Sequence, residues 1–225
     1  MSLFPSSKAG RWMLGLAGIL VAVAGAFTAW RLTVHNEGVV EPGALYRSAQ
    51  LKSAALEKEI KARHIRTVIN LRGENDRLSW YRQEVEICRR LGVLHLDVAL
   101  SARSLPDPKN LLRLLEFYQT APRPILLHCR SGSDRTGLAV ALFEIDQQHL
   151  PWQQAKTGLS WHYGHFALYP YFEMDEFVEL YGQSGASSLT EWAQKDYPAV
   201  YAREMQESRR HEMLEPLEFL LTGRP

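Results

Sequence analysis

Cysteine is almost absent: Cys88 and Cys129 are the two in the chain. A disulfide framework is therefore excluded, although one bridge is not, and the redox compartment stays open. An excess of charge of one sign is lacking too. The 26 basic and 25 acidic residues leave a formal net charge of +1, which points to neither a nucleic-acid binder nor a polybasic membrane patch. No internal repeat or low-complexity tract is present, and residues 182–188 (GQSGASS) read as one small-polar loop. The 225 residues and ordinary apolar content leave room for one domain with a sizeable core plus short extras.

Long apolar runs are scarce as well, with one exception. Residues 12–30 (WMLGLAGILVAVAGAFTAW) carry no charge over 19 positions. As a helix, at about 1.5 Å per residue, that run nearly matches a hydrocarbon core of about 30 Å. Lys8 and Arg11 precede it, Arg31 follows it, and Trp12 and Trp30 sit where interfacial tryptophans anchor a span. The expectation is one N-terminal transmembrane helix with the basic flank in the cytoplasm, making a single-pass membrane protein with an extracytoplasmic (periplasmic) catalytic part. The other reading is a signal peptide cleaved near Ala24-Gly25-Ala26, giving a secreted protein. The expected organisation is a basic flank (1–11), the span (12–30), a connector (31–44) and one domain (45–225).

Within that domain strands and helices alternate. Residues 66–71 (RTVINL), 93–98 (VLHLDV) and 125–128 (ILLH) read as short buried strands. Leu78, Tyr81, Val85, Cys88 and Leu91 recur at helical spacing, as do Leu111, Leu114, Leu115 and Tyr118. Cys88 thus reads as core. The pattern predicts an α/β fold with a mainly parallel central sheet flanked by helices. Such sheets bind ligands beyond the carboxyl ends of their strands, which directs attention to the loop after ILLH.

That loop is His128-Cys129-Arg130-Ser131-Gly132-Ser133-Asp134-Arg135-Thr136-Gly137, and a helix follows. Five residues separate Cys129 from Arg135. A tight loop of this length can turn several backbone N–H groups inward as an anion nest, and the helix adds its positive end. Gly132 permits positive φ or close backbone approach. The Arg135 fork matches two phosphate oxygens. The same positive field lowers the Cys129 pKa, and the thiolate is the reactive form. A nucleophile, a clamp and an oxyanion cradle converge in one segment.

HCRSGSDRTG resembles the H-C-x5-R-[ST] phosphate loop of the protein tyrosine and dual-specificity phosphatases. Residues 45–50 (LYRSAQ) and 69–72 (INLR) resemble segments of bacterial and fungal members of the dual-specificity group. The resemblance implies a phosphatase that forms a phosphocysteine intermediate on Cys129. Arg135 and the loop 130–135 (Arg130, Ser131, Gly132, Ser133, Asp134) would bind the phosphoryl group. Thr136 would help the thiolate leave, and His128 would buttress the loop. No metal or organic cofactor is expected. Two other readings are a rhodanese-like sulfurtransferase, whose loop closes one residue earlier, and a catalytically silent phospho-ligand binder.

Two carboxylates are candidates for the general acid that protonates the leaving oxygen. Asp97 lies 32 residues before Cys129, at the end of VLHLDV, and its spacing resembles that of the acid in dual-specificity phosphatases. Asp107 lies 22 residues before Cys129, where Pro108 suits the start of a helix and Asp107 suits its cap. Asp97 is the expected acid and Asp107 the alternative. His162 and His165 have metal-pair spacing without an evident third ligand, so loop packing is expected. The expected substrate is a phosphorylated protein or a phospholipid headgroup. The loop variables supply one cation, Arg130, which does not favour a highly phosphorylated inositol.

Overall fold

Short runs of aliphatic and β-branched residues form five strands: β1 Gly38–Glu41, β2 Leu45–Ser48, β3 Thr67–Asn70, β4 Leu94–Asp97 and β5 Ile125–His128. They make one sheet in the order β1-β2-β5-β3-β4. β1 runs antiparallel to β2, and the other neighbours are parallel. The computed structural model describes residues 12, 15–19, 21–23, 25, 36–167 and 171–207. The chain divides into two units, Met1–His35 and Asn36–Pro225, and the sheet belongs to the second. β2, β3 and β5 are buried at every position, as parallel strands covered on both faces must be. The strands read at 66–71 and 93–98 are present, each shorter by one residue at either end, and 125–128 is as read. β1 lies in a stretch whose sequence reads as connector.

The helices are α1 Ser53–Arg63, α2 Ser79–Leu91, α3 Pro108–Thr120, α4 Asp134–Asp146, the single turn α5 Trp152–Ala155, α6 Glu173–Gln183 and α7 Leu189–Lys195. α1 and α2 stop at His64 (φ 53°) and Gly92 (φ 68°), whose left-handed backbone closes the last turn. α3 starts where Asp107 accepts from the amides of Lys109 (3.0 Å) and Asn110 (3.2 Å), with Pro108 in the first turn. α4 is apolar nearly all round its middle, 138–143, and is correspondingly buried. It packs with α3, α6 and α7 on one face of the sheet, around Leu111, Leu115, Phe143, Phe177 and Trp192. α1 and α2 cover the other face through Leu56, Ile60, Ile87 and Cys88. Each large apolar side chain so buried stabilises the fold by about 1.5–3 kcal/mol.

The four parallel strands end level. Ser48 and Asn70 both pair with His128, and Asn70 pairs with Asp97. The residues leaving these strands therefore emerge along one edge.

One expectation is corrected. Among the described residues no helix is long and apolar enough to cross a membrane. Within 12–30 the described residues are 12, 15–19, 21–23 and 25, all helical. The transmembrane helix is withdrawn. With it go the membrane as partner and the single-pass extracytoplasmic placement. The positions 13, 14, 20, 24 and 26–30 lie outside the described residues, as does the basic flank 1–11.

Candidate active site

Past the end of β5 the chain makes a tight loop, 129–133, and enters α4. Gly132 has φ +69°, and an added Cβ would lie 2.7 Å from the Ala49 amide nitrogen and 2.8 Å from Ser48 C. Both backbone conformation and space therefore require glycine here. Three consecutive carbonyls of the loop are held from outside. The Gln50 amide donates to Arg130 O (3.3 Å) and Asn36 Nδ2 to Ser131 O (2.6 Å). Arg47 Nη2 donates to Gly132 O (2.8 Å). In a trans peptide the N–H points opposite to the preceding C=O. Pulling these carbonyls outward turns the amides of Ser131, Gly132 and Ser133 toward the cradle, as an anion nest needs. Ser133 caps α4 without a side-chain bond, so its first turn keeps amides available to an anion.

Arg47 is a buried residue of β2. Its other nitrogen, Nη1, donates to Gly158 O (3.2 Å), and its guanidinium lies 3.6 Å over the Tyr163 ring. Burial lowers its pKa to about 10, partly offset by Tyr163, Cys129 and Glu144. Asn36 also donates to Tyr163 O (3.0 Å), so the segment around Tyr163 and the loop share their fastenings.

Cys129 is buried at the floor of this loop. Burial alone would raise its thiol pKa. The Arg135 guanidinium, the Thr136 hydroxyl and the amides of Thr136 and Ser131 outweigh it, and the net shift is downward. Arg135 has one long contact, Nη1 to Leu100 O (3.5 Å), and its Nε is buried without a partner. The Thr136 hydroxyl is likewise buried with no partner at ordinary hydrogen-bond geometry, leaving the thiolate as its counterpart.

Behind the loop stands a buried acid. Glu84 of α2 has Oε1 at 3.0 Å from His128 Nε2 and 2.9 Å from His95 Nε2, while Gln50 Nε2 donates to its Oε2. Burial opposes its ionisation, but the two histidines win and its pKa falls. The pairing with Glu84 raises the His128 pKa against the opposing effect of burial. His128 Nδ1 is 3.4 Å from Cys129 O, so this chain of groups reaches the loop.

The other candidate residues are spread more widely. Asp97 accepts from Asn70 Nδ2 at Oδ1 (2.8 Å) and from the Tyr81 hydroxyl at Oδ2 (2.7 Å). Asp107 is the exposed cap of α3, with both cap bonds on Oδ1. Asp134 meets His165 Nδ1 (2.8 Å), whose Nε2 meets Asp175 (2.7 Å), and Lys156 lies 3.5 Å from Asp175. Burial would lower the His165 pKa, but its two carboxylates raise it to about 9. Among the described residues no group of three His, Cys, Asp or Glu side chains is arranged to hold a metal ion. His162 stacks edge-on against Tyr163. Cys88 is a free thiol packed among the apolar residues of α1 and α2, and burial raises its pKa to about 12.

Arg47, Asn36 and Glu84 were not anticipated from the sequence. Arg47 lies in LYRSAQ, the segment noted for its resemblance, which was the available signal. Asn36 and Glu84 carried none.

Comparison with known proteins places this loop in a family. The family described as "DSP-PTPase phosphatase fused to NAD+ Kinase" matches residues 28–163, more than half of the chain, a stretch that includes the whole sheet and the loop. The fold is shared with a cysteine-to-serine variant of P. aeruginosa TpbA in complex with pTyr (24% identity, TM-score 0.53, covering 71% of this chain and 88% of that one). It is shared with the catalytic core of the S. cerevisiae PP-IP phosphatase SIW14 in complex with citrate (19%, TM-score 0.55, 66% and 86%). It is also shared with PTPMT1 in complex with PI(5)P (16%, TM-score 0.51, 67% and 99%). The sulfurtransferase and silent-binder readings are thereby set aside. The chain belongs to the DSP-PTPase phosphatase family that the match describes, and it is a cysteine-dependent phosphatase that hydrolyses phosphate monoesters through a phosphocysteine intermediate.

Proposed function

We propose that Cys129 is the nucleophile and Arg135 the phosphate clamp of this reaction. The observation that carries the reading is the convergence on one buried sulfur of Arg135, the Thr136 hydroxyl and inward-turned loop amides. The thiolate attacks phosphorus, an S–P bond forms, and the bond to the leaving oxygen breaks. Charge on the three equatorial oxygens is met by the Ser131, Gly132 and Ser133 amides and the Arg135 fork, which the site holds ready before substrate arrives. In the second step water attacks phosphorus, the S–P bond breaks, and the Thr136 hydroxyl stabilises the departing thiolate. His128, fixed by Glu84, buttresses the Cys129 carbonyl.

The leaving oxygen needs a proton. Both oxygens of Asp97 already accept hydrogen bonds, so we assign Asp97 to positioning the end of β4. Asp107 is the sole carboxylate in residues 98–107, the loop whose Leu100 carbonyl meets Arg135, and both of its cap bonds fall on one oxygen. We assign it the proton donation, and after it the return of that proton from the attacking water. The substrate is a phosphate monoester of a protein side chain or a lipid headgroup.

The nucleophile is tested by Cys129→Ser. The hydroxyl has nearly the same size but does not ionise near neutral pH. Turnover of an aryl phosphate should vanish while phosphate still binds. Appreciable turnover by this variant removes Cys129 from the mechanism.

A further inference from the structure

Among the described residues, two arginines beside the cradle have no carboxylate partner. Arg72 follows β3, where the Leu71 amide donates to His128 O (2.9 Å), so it emerges next to Cys129. Its guanidinium lies 3.8 Å over the Trp80 ring, and its Nη1 donates to Gln50 Oε1 (3.2 Å). The Gln50 amide in turn donates to Arg130 O. One residue therefore fastens both Arg72 and the backbone of Arg130. Among the described residues neither arginine is in an ion pair, and the Arg130 side chain is exposed. Glu84, the buried acid nearest to hand, spends its oxygens on His128, His95 and Gln50.

Charge balance makes this arrangement informative. A single phosphate dianion is already met by Arg135, three amides and a helix end. Arg72 and Arg130 add two positive charges that repel Arg135, a repulsion that works with burial to lower the Arg72 pKa. The Cys129 thiolate and Glu84 offset part of this repulsion, and the remainder is unfavourable until a further anion joins the arginines. Next to them, sharing Gln50 and Trp80, a cleft of about 400 Å³ opens between α1 and α2, with Lys52 and Gln83 on its walls.

We infer that Arg72 and Arg130 form a second anion subsite, and that the preferred substrate carries two phosphates on one small, rigid leaving group. This rests on the Cys129 reading and narrows its substrate. Arg72 is held by Trp80 and Gln50 at the edge of the cradle, so a second anion on the same small group is met beside the scissile phosphate. An acidic side chain elsewhere on a flexible peptide must be ordered to reach that place, at a cost in entropy. One further phosphate dianion, rather than several, balances the two remaining cations.

The test compares resorcinol bisphosphate with phenyl phosphate, which share a leaving group apart from the second anion. The bisphosphate should have a kcat/KM about tenfold higher, as a charge-assisted hydrogen bond provides. Added salt should shrink that preference. Arg72→Gln and Arg130→Gln should each lower the ratio of the two kcat/KM values. A ratio near one in the parent protein, or an unchanged ratio in both variants, overturns the inference while turnover of phenyl phosphate leaves the Cys129 reading standing. Absence of turnover on both esters overturns both. Loss of selectivity in the variants for a phosphotyrosine peptide flanked by glutamates over one flanked by glutamines, with the ester ratio constant, assigns the pair to peptides and also overturns it.

Discussion

A lysine in place of Arg135 would keep the charge and lose the shape. The planar fork can meet two equatorial oxygens at once, and a single ammonium cannot. Arg135→Lys is expected to lower kcat on an aryl phosphate by about 10²-fold or more, a loss of the size seen when one transition-state donor is removed. A near-normal kcat would show that fork geometry is irrelevant. The two carboxylates separate in the same way. Asp107→Asn should slow alkyl phosphates by about 10²–10⁴-fold and an activated aryl phosphate much less, because the latter leaves without a proton. Asp97→Asn should instead lower stability by about 1–3 kcal/mol, since the Tyr81 hydroxyl and the Asn70 amide lose a charged acceptor. Kinetics of the two variants on both ester types, with denaturant melts, decide the matter; the reverse pattern makes Asp97 the donor. The candidate pair was visible in the sequence, but the partners that occupy Asp97 were not. Nothing in the spacing of Tyr81, Asn70 and Asp97 shows that they meet.

At the scale of elements, the strand–loop–helix unit was legible because its parts are contiguous. ILLH has strand character, Gly132 marks the turn, and Leu138 onward is apolar enough for a buried helix. The fastenings behind the loop were not legible. Asn36 reaches Ser131 across 95 residues, Arg47 reaches Gly132 across 85, and Glu84 reaches His128 across 44. All but Glu84 act on backbone carbonyls, so no matching side-chain type advertises the contact. The apolar run 12–30 is a different case: hydropathy reports composition, and among the described residues no helix is long and apolar enough to cross a membrane. The loop also supplies a prediction. Gly132→Ala meets a left-handed φ, costing about 1–2 kcal/mol, and a backbone wall at 2.7 Å. The cradle must shift, and a misplacement of that kind is expected to lower kcat/KM by about 10²-fold. Steady-state kinetics with circular dichroism would check it; unchanged kcat/KM in a folded variant would sink this account of the loop.

For the whole molecule, pH acts on rate and stability through different groups. The Cys129 pKa is lowered from 9.0, so the thiolate forms below the ordinary thiol range and the rising limb of kcat/KM on an activated aryl phosphate should lie below pH 9. A limb at the free-thiol position would contradict the field of Arg135 and the loop. His165 acts on stability. Its pKa rises from 6.5 to about 9 between Asp134 and Asp175, with Lys156 beside them. A group raised in the folded state stabilises fully below its unfolded pKa, and that contribution fades as pH climbs through the folded one. Tm should therefore fall between about pH 6.5 and 9.5, by the equivalent of roughly 2 kcal/mol once solvent screening of the pair is discounted, and His165→Gln should flatten that slope. Equal slopes would deny His165 the role.

The carbonyls held by Gln50, Asn36 and Arg47 have one more consequence. Main-chain atoms fix the cradle's shape, while the side chains at 130 and 131 stand exposed and hold none of it. Those two positions can drift under selection without disturbing the chemistry beneath them. What the enzyme prefers and how it cleaves are thus inherited separately, and exchanging residues 130 and 131 between relatives should transplant preference while leaving the cleavage machinery in place.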